Sequence, residues 1–197
     1  MLDLHRDWFK GIEKVAAAIF SPLPFSPNHY TAASIVFSLA FFAAMTIAGN
    51  YPAALALFLI SAFLDFIDGA VARSKGLTTA RGAYCDNIAD RYVEAITLFA
   101  LFFAGLPDIV ISAKAWIFLL IVGSMMTTYA KASAKEKGLS EVELKGGLMS
   151  RGERLIFVAV AVLFLNYNLY WTTAILAVAA ILANITALQR INKALSR

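Results

Sequence analysis

Cysteine and charged side chains are scarce in this 197-residue sequence. Cys85 is the single cysteine, which excludes an intramolecular disulfide and most metal sites built from thiolates. Only 15% of the residues are charged while 60% are hydrophobic, a balance that excludes an ordinary water-soluble globule. Low-complexity tracts, internal repeats and a second domain are also missing. The sequence therefore predicts one membrane domain over residues 1–197.

Long apolar stretches fill most of the chain. Five of them offer about 20 mostly apolar residues, enough to cross roughly 30 Å of hydrocarbon, and a sixth qualifies if its aspartates face inward. The stretch that begins near Leu155 is short unless the turn with Arg151 and Arg154 extends it. We predict an all-α integral membrane protein with six transmembrane helices at residues 29–49, 52–73, 84–105, 111–131, 153–167 and 169–189.

The Lys and Arg residues are distributed asymmetrically about these spans. All seventeen except Lys114 fall in the N-terminal segment, the second-to-third and fourth-to-fifth connections, or the C-terminal tail. Because short cytoplasmic loops retain positive charge, both termini are predicted to be cytoplasmic. The net charge of +4 is explained by these inner-face loops, which indicates contact with anionic lipid headgroups rather than with nucleic acid.

Residues 1–27 differ from the rest because their apolar and basic side chains alternate at helical spacing. A secretory signal would need an uninterrupted apolar region, which this segment lacks. We predict an amphipathic helix in the headgroup plane, broken by prolines before the first span. The apolar face carries Leu4, Trp8, Ile12 and Val15, the basic face carries Arg6, Lys10 and Lys14, and the prolines are Pro22, Pro24 and Pro27.

Four carboxylates stand at helical spacing near the ends of two apolar segments. Asp65 and Asp68 share one face of the second span, and Asp86 and Asp90 share one face of the third. The short connection between these spans forces an antiparallel hairpin, so the four acids should meet at the cytoplasmic rim. Clustered carboxylates at low dielectric need cations, and hard oxygen ligands select Mg²⁺ or Mn²⁺, with Ca²⁺ as a third option. Two such ions suit phosphoryl transfer.

Small and basic residues accompany these acids. Gly69 and Ala72 leave room for a ligand, Arg73 can meet a diphosphate, and Gly82 lets the third helix start close to it. A nucleotide would fit there. The alternative is a solvated hairpin whose acids pair with Arg73, Arg81 and Arg91.

The pattern Asp65-x-x-Asp68-Gly69-x-x-Ala72-Arg73, eight residues, Gly82-x-x-x-Asp86-x-x-x-Asp90 resembles the signature of the CDP-alcohol phosphotransferase family. The resemblance implies a homodimeric membrane enzyme with a cytoplasmic site. Such an enzyme transfers a phosphatidyl-type group from a CDP-linked lipid to an alcohol and releases CMP.

The resemblance also implies roles for individual residues. Asp65, Asp68, Asp86 and Asp90 would hold two Mg²⁺ or Mn²⁺ ions, with Asp90 also the general base for the incoming hydroxyl. Asp68, Gly69, Ala72, Arg73 and Gly82 would surround the cytidine diphosphate. Pro27-Asn28-x-x-Thr31 resembles a further family segment, so Asn28 and Thr31 join the predicted donor contacts; Asn28 could equally be a helix N-cap.

The acceptor is indicated by two basic segments in and beside the fourth-to-fifth connection. Tyr129-Ala130-Lys131-Ala132 and Arg151-Gly152-Glu153-Arg154-Leu155 resemble the branch that uses inositol phosphate, in which such segments bind the acceptor's phosphate. Lys131, Arg151 and Arg154, together with Arg190, are the predicted phosphate contacts. Alternatively, these residues serve only as topological charges. Ser133 and Lys135 depart from the pattern of bacterial inositol-phosphate enzymes.

Other functions remain alternatives at this point. The same transfer could use glycerol 3-phosphate or serine, and the donor could be a diacyl or an ether-linked lipid. An ion transporter could use the same charged residues, but polar residues deep in the spans are scarce. A structural membrane protein without chemistry is the third alternative.

Overall fold

The structure is a computed structural model that describes residues 6–139 and 147–196. Within these residues the chain is all-helical. Its helices are α1 (Arg6–Phe20), α2 (Pro27–Thr46), α3 (Tyr51–Ser74), α4 (Ala80–Leu101), α5 (Ala113–Glu136), α6 (Arg151–Phe164) and α7 (Leu169–Leu195). Each predicted span corresponds to one of α2 to α7, with ends displaced by less than two turns. Leu4, Lys145 and Arg197, on which part of the amphipathicity and topology predictions rested, lie outside the described residues.

Four of the described helices, α2, α3, α5 and α7, are long and apolar enough to cross a membrane. Helix α6 is only 14 residues long. Helix α4 is long enough but carries several charged residues, among them Asp86, Asp90, Arg91 and Glu94. The protein is therefore an integral membrane protein with four candidate spans in the part of the chain that the structure describes.

Capping residues mark where the helices near the carboxylates begin. Ser26 caps α2, followed at once by Pro27, whose fixed φ suits the first helical position. The Thr79 hydroxyl accepts a hydrogen bond from the Gly82 N–H at 3.0 Å and starts α4. Helix α3 ends before Gly76, whose φ of +64° is readily adopted only by glycine.

The first of two compact units comprises Arg6–Phe103. In it α2 packs against both α3 and α4, and α1 packs against α3. The Ser61 hydroxyl donates to the Ser34 carbonyl at 2.7 Å between α3 and α2, and the rings of Phe42 and Phe99 stack with centroids 5.8 Å apart between α2 and α4. This packing places the start of α2, the end of α3 and the start of α4 together.

The second unit begins at Ala104 and is organised around α7, which packs against α5 and α6. Helices α5 and α7 approach closely at Gly123, where an added Cβ would lie 2.9 Å from the backbone nitrogen of Asn184. The Asn184 side-chain amide donates to the Leu119 carbonyl at 2.8 Å. Between α7 and α6 the Thr172 hydroxyl donates to the Ala161 carbonyl at 3.2 Å.

Candidate active site

Three of the four predicted metal ligands converge. One carboxylate oxygen each from Asp65, Asp68 and Asp86 lies within 4.8 Å of the others. Asp68 is buried, and the other two are partly buried. Three hard oxygen ligands at this spacing suit a divalent cation such as Mg²⁺ or Mn²⁺, so the residues present fit the predicted metal. Helices α3 and α4 thus supply a metal-binding cluster from neighbouring ends.

A hydroxyl from a third helix orients this cluster. Thr31 of α2 donates its Oγ1 hydrogen to Oδ2 of Asp68 at 2.6 Å. A donor that fixes one oxygen of a ligating carboxylate determines which lone pairs remain for a metal. Thr31, predicted as a nucleotide contact, therefore also has a structural partner among the carboxylates.

Asp90 lies one turn further along α4, with 6% of its surface exposed. Its Oδ2 is 3.6 Å from Nη2 of Arg91, and Nη1 of Arg91 donates to Glu94 Oε2 at 3.1 Å. Glu94 is also buried. Asp90 therefore lies beside a charged network within α4, and its roles as fourth ligand and as base remain predictions.

A cavity of about 350 Å³ opens beside the carboxylate cluster. Every residue predicted to contact the donor lines it: Asn28, Thr31, Asp68, Gly69, Ala72, Arg73 and Gly82. Asp86 also lines this cavity, so the cavity adjoins the predicted metal site. Ser26 is the N-cap of α2, so the alternative in which Asn28 caps this helix is wrong.

Other residues lining the cavity carried no clear signal in the sequence. Leu77, Thr78 and Thr79 of the α3–α4 connection form part of the wall, as do Ser26 and Ala83. Thr79 could have been found as a helix N-cap, because threonine is a preferred residue at that position and the N–H of Gly82, three residues later, is the donor that it caps. Leu77 and Thr78 belong to a turn whose path no periodicity predicts.

The predicted acceptor contacts lie on three helices of the second unit. Lys131 is on α5, Arg151 and Arg154 are in the first turns of α6, and Arg190 is on α7. Arg154 and Arg190 are 2% and 8% exposed, and Arg190 Nη1 donates to the Thr127 carbonyl at 3.0 Å.

The segment before α6 is attached to α7 close to Arg190. The Met149 N–H donates to the Thr186 hydroxyl at 2.9 Å, and the Leu148 N–H donates to Gln189 Oε1 at 3.2 Å. Gly147 packs so tightly that an added Cβ would clash with Thr186 Cγ2. These contacts hold the first turns of α6 against α7, the helix that carries Arg190.

Residues 25–185 match the family model described as CDP-alcohol phosphatidyltransferase. The chain belongs to this family. It is 33% identical over 180 residues to the archaetidylinositol phosphate synthase of Aeropyrum pernix, covering 91% of this chain and 88% of that protein. It is also 30% identical over 203 residues to the phosphatidylinositol phosphate synthase of Mycobacteroides abscessus, covering 96% and 86%.

Solved structures show the same fold. Phosphatidylinositol phosphate synthase from Mycobacterium tuberculosis with CDP-DAG bound superposes with a TM-score of 0.76 at 22% identity, covering 92% of each chain. The same enzyme with manganese and citrate gives a TM-score of 0.72 at 23% identity, covering 93% of this chain and 88% of that one.

Family membership confirms the main prediction from sequence. The protein is a transferase of the CDP-alcohol phosphatidyltransferase family and an enzyme of phospholipid synthesis. The hypotheses of an ion transporter and of a purely structural membrane protein are thereby superseded.

Proposed function

We propose that the protein transfers the phosphatidyl-type group of a CDP-linked lipid to a hydroxyl of inositol phosphate and releases CMP. The observation that carries this proposal is a cavity whose wall combines Asp68 and Asp86 with every predicted donor contact. Relatives named archaetidylinositol phosphate synthase and phosphatidylinositol phosphate synthase support the choice of acceptor. Glycerol 3-phosphate or serine is the alternative acceptor for the same chemistry.

In the proposed reaction the acceptor hydroxyl oxygen bonds to the phosphorus that carries the lipid. The bond from that phosphorus to the oxygen shared with CMP breaks, and its electrons leave with CMP. Asp90 accepts the hydroxyl proton. Arg73 binds the diphosphate in the cavity, where Gly69 and Gly82 leave space for it.

We propose two Mg²⁺ or Mn²⁺ ions as the cofactors. Asp65, Asp68, Asp86 and Asp90 would hold them, of which the first three already present converging oxygens. When bound, the ions would neutralise the diphosphate and the charge that develops on the departing CMP. Thr31 keeps Asp68 oriented for this role.

The acceptor's phosphate is proposed to bind Lys131, Arg151, Arg154 and Arg190. A guanidinium group presents several N–H donors in a fixed fork, and a phosphate dianion supplies several acceptor oxygens that match it. The burial of Arg154 and Arg190 on two helices that pack together supports this proposal.

The membrane arrangement is also a proposal in its finer details. We infer six transmembrane helices, α2 to α7, with both termini and the active site cytoplasmic, and α1 lying in the headgroup layer. Ile12, Val15 and Ile19 of α1 are more than half exposed on one helical face, which suits contact with lipid. We further propose that residues 1–197 act as one catalytic domain and that the enzyme is a homodimer.

An acceptor screen tests the proposed function. The protein in lipid nanodiscs with Mg²⁺ or Mn²⁺ receives CDP-diacylglycerol or its ether-linked counterpart, with inositol phosphate, glycerol 3-phosphate or serine in turn. We expect CMP release with inositol phosphate and none with Asp86→Asn under the same conditions. Turnover with another acceptor but not with inositol phosphate would overturn the acceptor assignment alone. No CMP release with any acceptor would overturn the proposed reaction.

A further inference from the structure

The nitrogen atoms of the Arg73 guanidinium group face two different neighbours, Glu13 and Gly69. Its Nε pairs with Oε1 of Glu13 on α1. The other end covers Gly69, since Nη1 and Nη2 lie 3.1 and 3.2 Å from the position that a Cβ would take there. Arg73 accordingly lines the donor cavity and also a second cavity of about 260 Å³ between α1 and α3, which Glu13 and Lys14 share.

Helix α1 holds Glu13 in place, because several contacts fix the C-terminal end of the helix and the connection that follows it. Phe20 makes edge-to-face contacts with Tyr30 and Phe63, with ring centroids 6.2 and 5.9 Å apart. The ammonium of Lys75 donates to the carbonyls of Leu23 at 3.1 Å and Phe25 at 3.0 Å, in the connection that follows α1. The helix that carries Glu13 is thus fastened to both α2 and the end of α3.

We propose that Glu13 is a positioning residue for the donor: by holding Nε of Arg73, it turns the two terminal nitrogens toward the diphosphate. This inference rests on the proposed function, since it assigns the diphosphate to the cavity that Arg73 lines. An arginine has five N–H donors in a rigid fork, so fixing Nε leaves the other donors oriented. A group ordered before the ligand arrives loses less entropy on binding.

The expected effect is moderate because the pair is partly exposed. Exposed fractions of the two side chains are 46% for Arg73 and 29% for Glu13, so solvent screens their attraction. Pairs of this kind change equilibrium constants by about two- to fivefold. Glu13→Ala should therefore raise the Kd of CDP and the KM of the CDP-lipid by about that factor, while kcat and the acceptor KM stay unchanged.

The test uses the full chain in lipid nanodiscs with Mn²⁺. CDP binding is titrated directly, and donor and acceptor KM values are measured from CMP release. Glu13→Gln should fall between wild type and Glu13→Ala, since its amide oxygen still accepts from Nε without the charge. In an Arg73→Ala background, Glu13→Ala should have no further effect. Lys14→Gln, the neighbouring change on α1, should leave donor binding as in wild type.

Several results would overturn the inference. An unchanged or lower Kd for CDP in Glu13→Ala would show that Glu13 is irrelevant to donor binding or competes with the donor for Arg73. Additive effects of Glu13→Ala and Arg73→Ala would show that the two residues act independently. A loss of CDP affinity in Lys14→Gln equal to that in Glu13→Ala would assign the effect to α1 as a whole. If wild type neither binds CDP nor releases CMP, the proposed function fails and this inference fails with it.

Discussion

Replacing Thr31 with valine removes one hydroxyl from the site while keeping the shape of the side chain. That hydroxyl donates to Asp68 Oδ2 at 2.6 Å, and the Asp68 side chain is buried, with 5% of the residue exposed. A hydrogen bond to a charged acceptor contributes about 1.5–3 kcal/mol, and about 1.4 kcal/mol corresponds to tenfold in an equilibrium constant. Loss of a partner that orients a metal ligand lowers metal affinity by about 10- to 100-fold.

We therefore expect Thr31→Val to need about ten- to a hundredfold more Mn²⁺ for half-maximal activity. Most of the turnover should return when the metal is saturating, because every carboxylate ligand remains. The assay is CMP release across a Mn²⁺ titration, with metal-dependent thermal stability of the same samples as a second readout.

Two variants serve as controls for this prediction. Thr31→Ser retains the donor and should titrate almost like wild type. Thr46→Val removes a hydroxyl of the same helix that donates to the Phe42 carbonyl at 2.8 Å, and should leave the Mn²⁺ titration unchanged. A Thr31→Val variant with a normal Mn²⁺ titration and only a raised donor KM would refute the reasoning, since Thr31 would then act on the nucleotide alone.

Three further changes test other parts of the structure. Asp90→Asn should retain CDP binding while kcat falls by about 10²- to 10⁴-fold. A loss of binding equal to that of Asp65→Asn would make Asp90 an ordinary metal ligand. Arg154→Ala should raise the acceptor KM about tenfold or more with the donor KM unchanged; an unchanged acceptor KM would exclude it from that pocket. Gly123→Ala should lower the unfolding temperature, at a cost of about 1–3 kcal/mol, because its Cβ would meet the Asn184 backbone. Gly11→Ala should leave the unfolding temperature unchanged, because there is open space around Gly11.

The features of the fold that follow from local spacing could be predicted from the sequence. Asp65 and Asp68 share a helical face because of the helical repeat, and a short connection brings Asp86 beside them. The ends of the helices were less predictable. Helix α7 continues to Leu195, beyond the predicted end at residue 189, because an apolar run marks the membrane boundary whereas helical hydrogen bonding continues through the polar tail.

Contacts between residues far apart in the sequence could not be predicted from periodicity. Thr31 and Asp68 are separated by 37 positions, and Glu13 and Arg73 by 60. The resemblance to the family singled out Thr31 but gave no indication that its hydroxyl meets Asp68. Glu13 could not be predicted to meet Arg73, because the amphipathic pattern of α1 indicates lipid contact and an acid among basic residues carries no signal of its partner.

The residues proposed to bind the donor and those proposed to bind the acceptor lie in different halves of the chain, and this separation has an evolutionary consequence. The cavity proposed for the donor is lined by residues 26–86, whereas all four residues proposed for the acceptor lie after position 130. On this assignment, mutation or recombination confined to the second half can replace one alcohol by another while the nucleotide chemistry is inherited intact. Headgroup diversity can then arise on an unchanged first half, and chimaeras joined between α4 and α5 offer a way to exchange the alcohol in the laboratory.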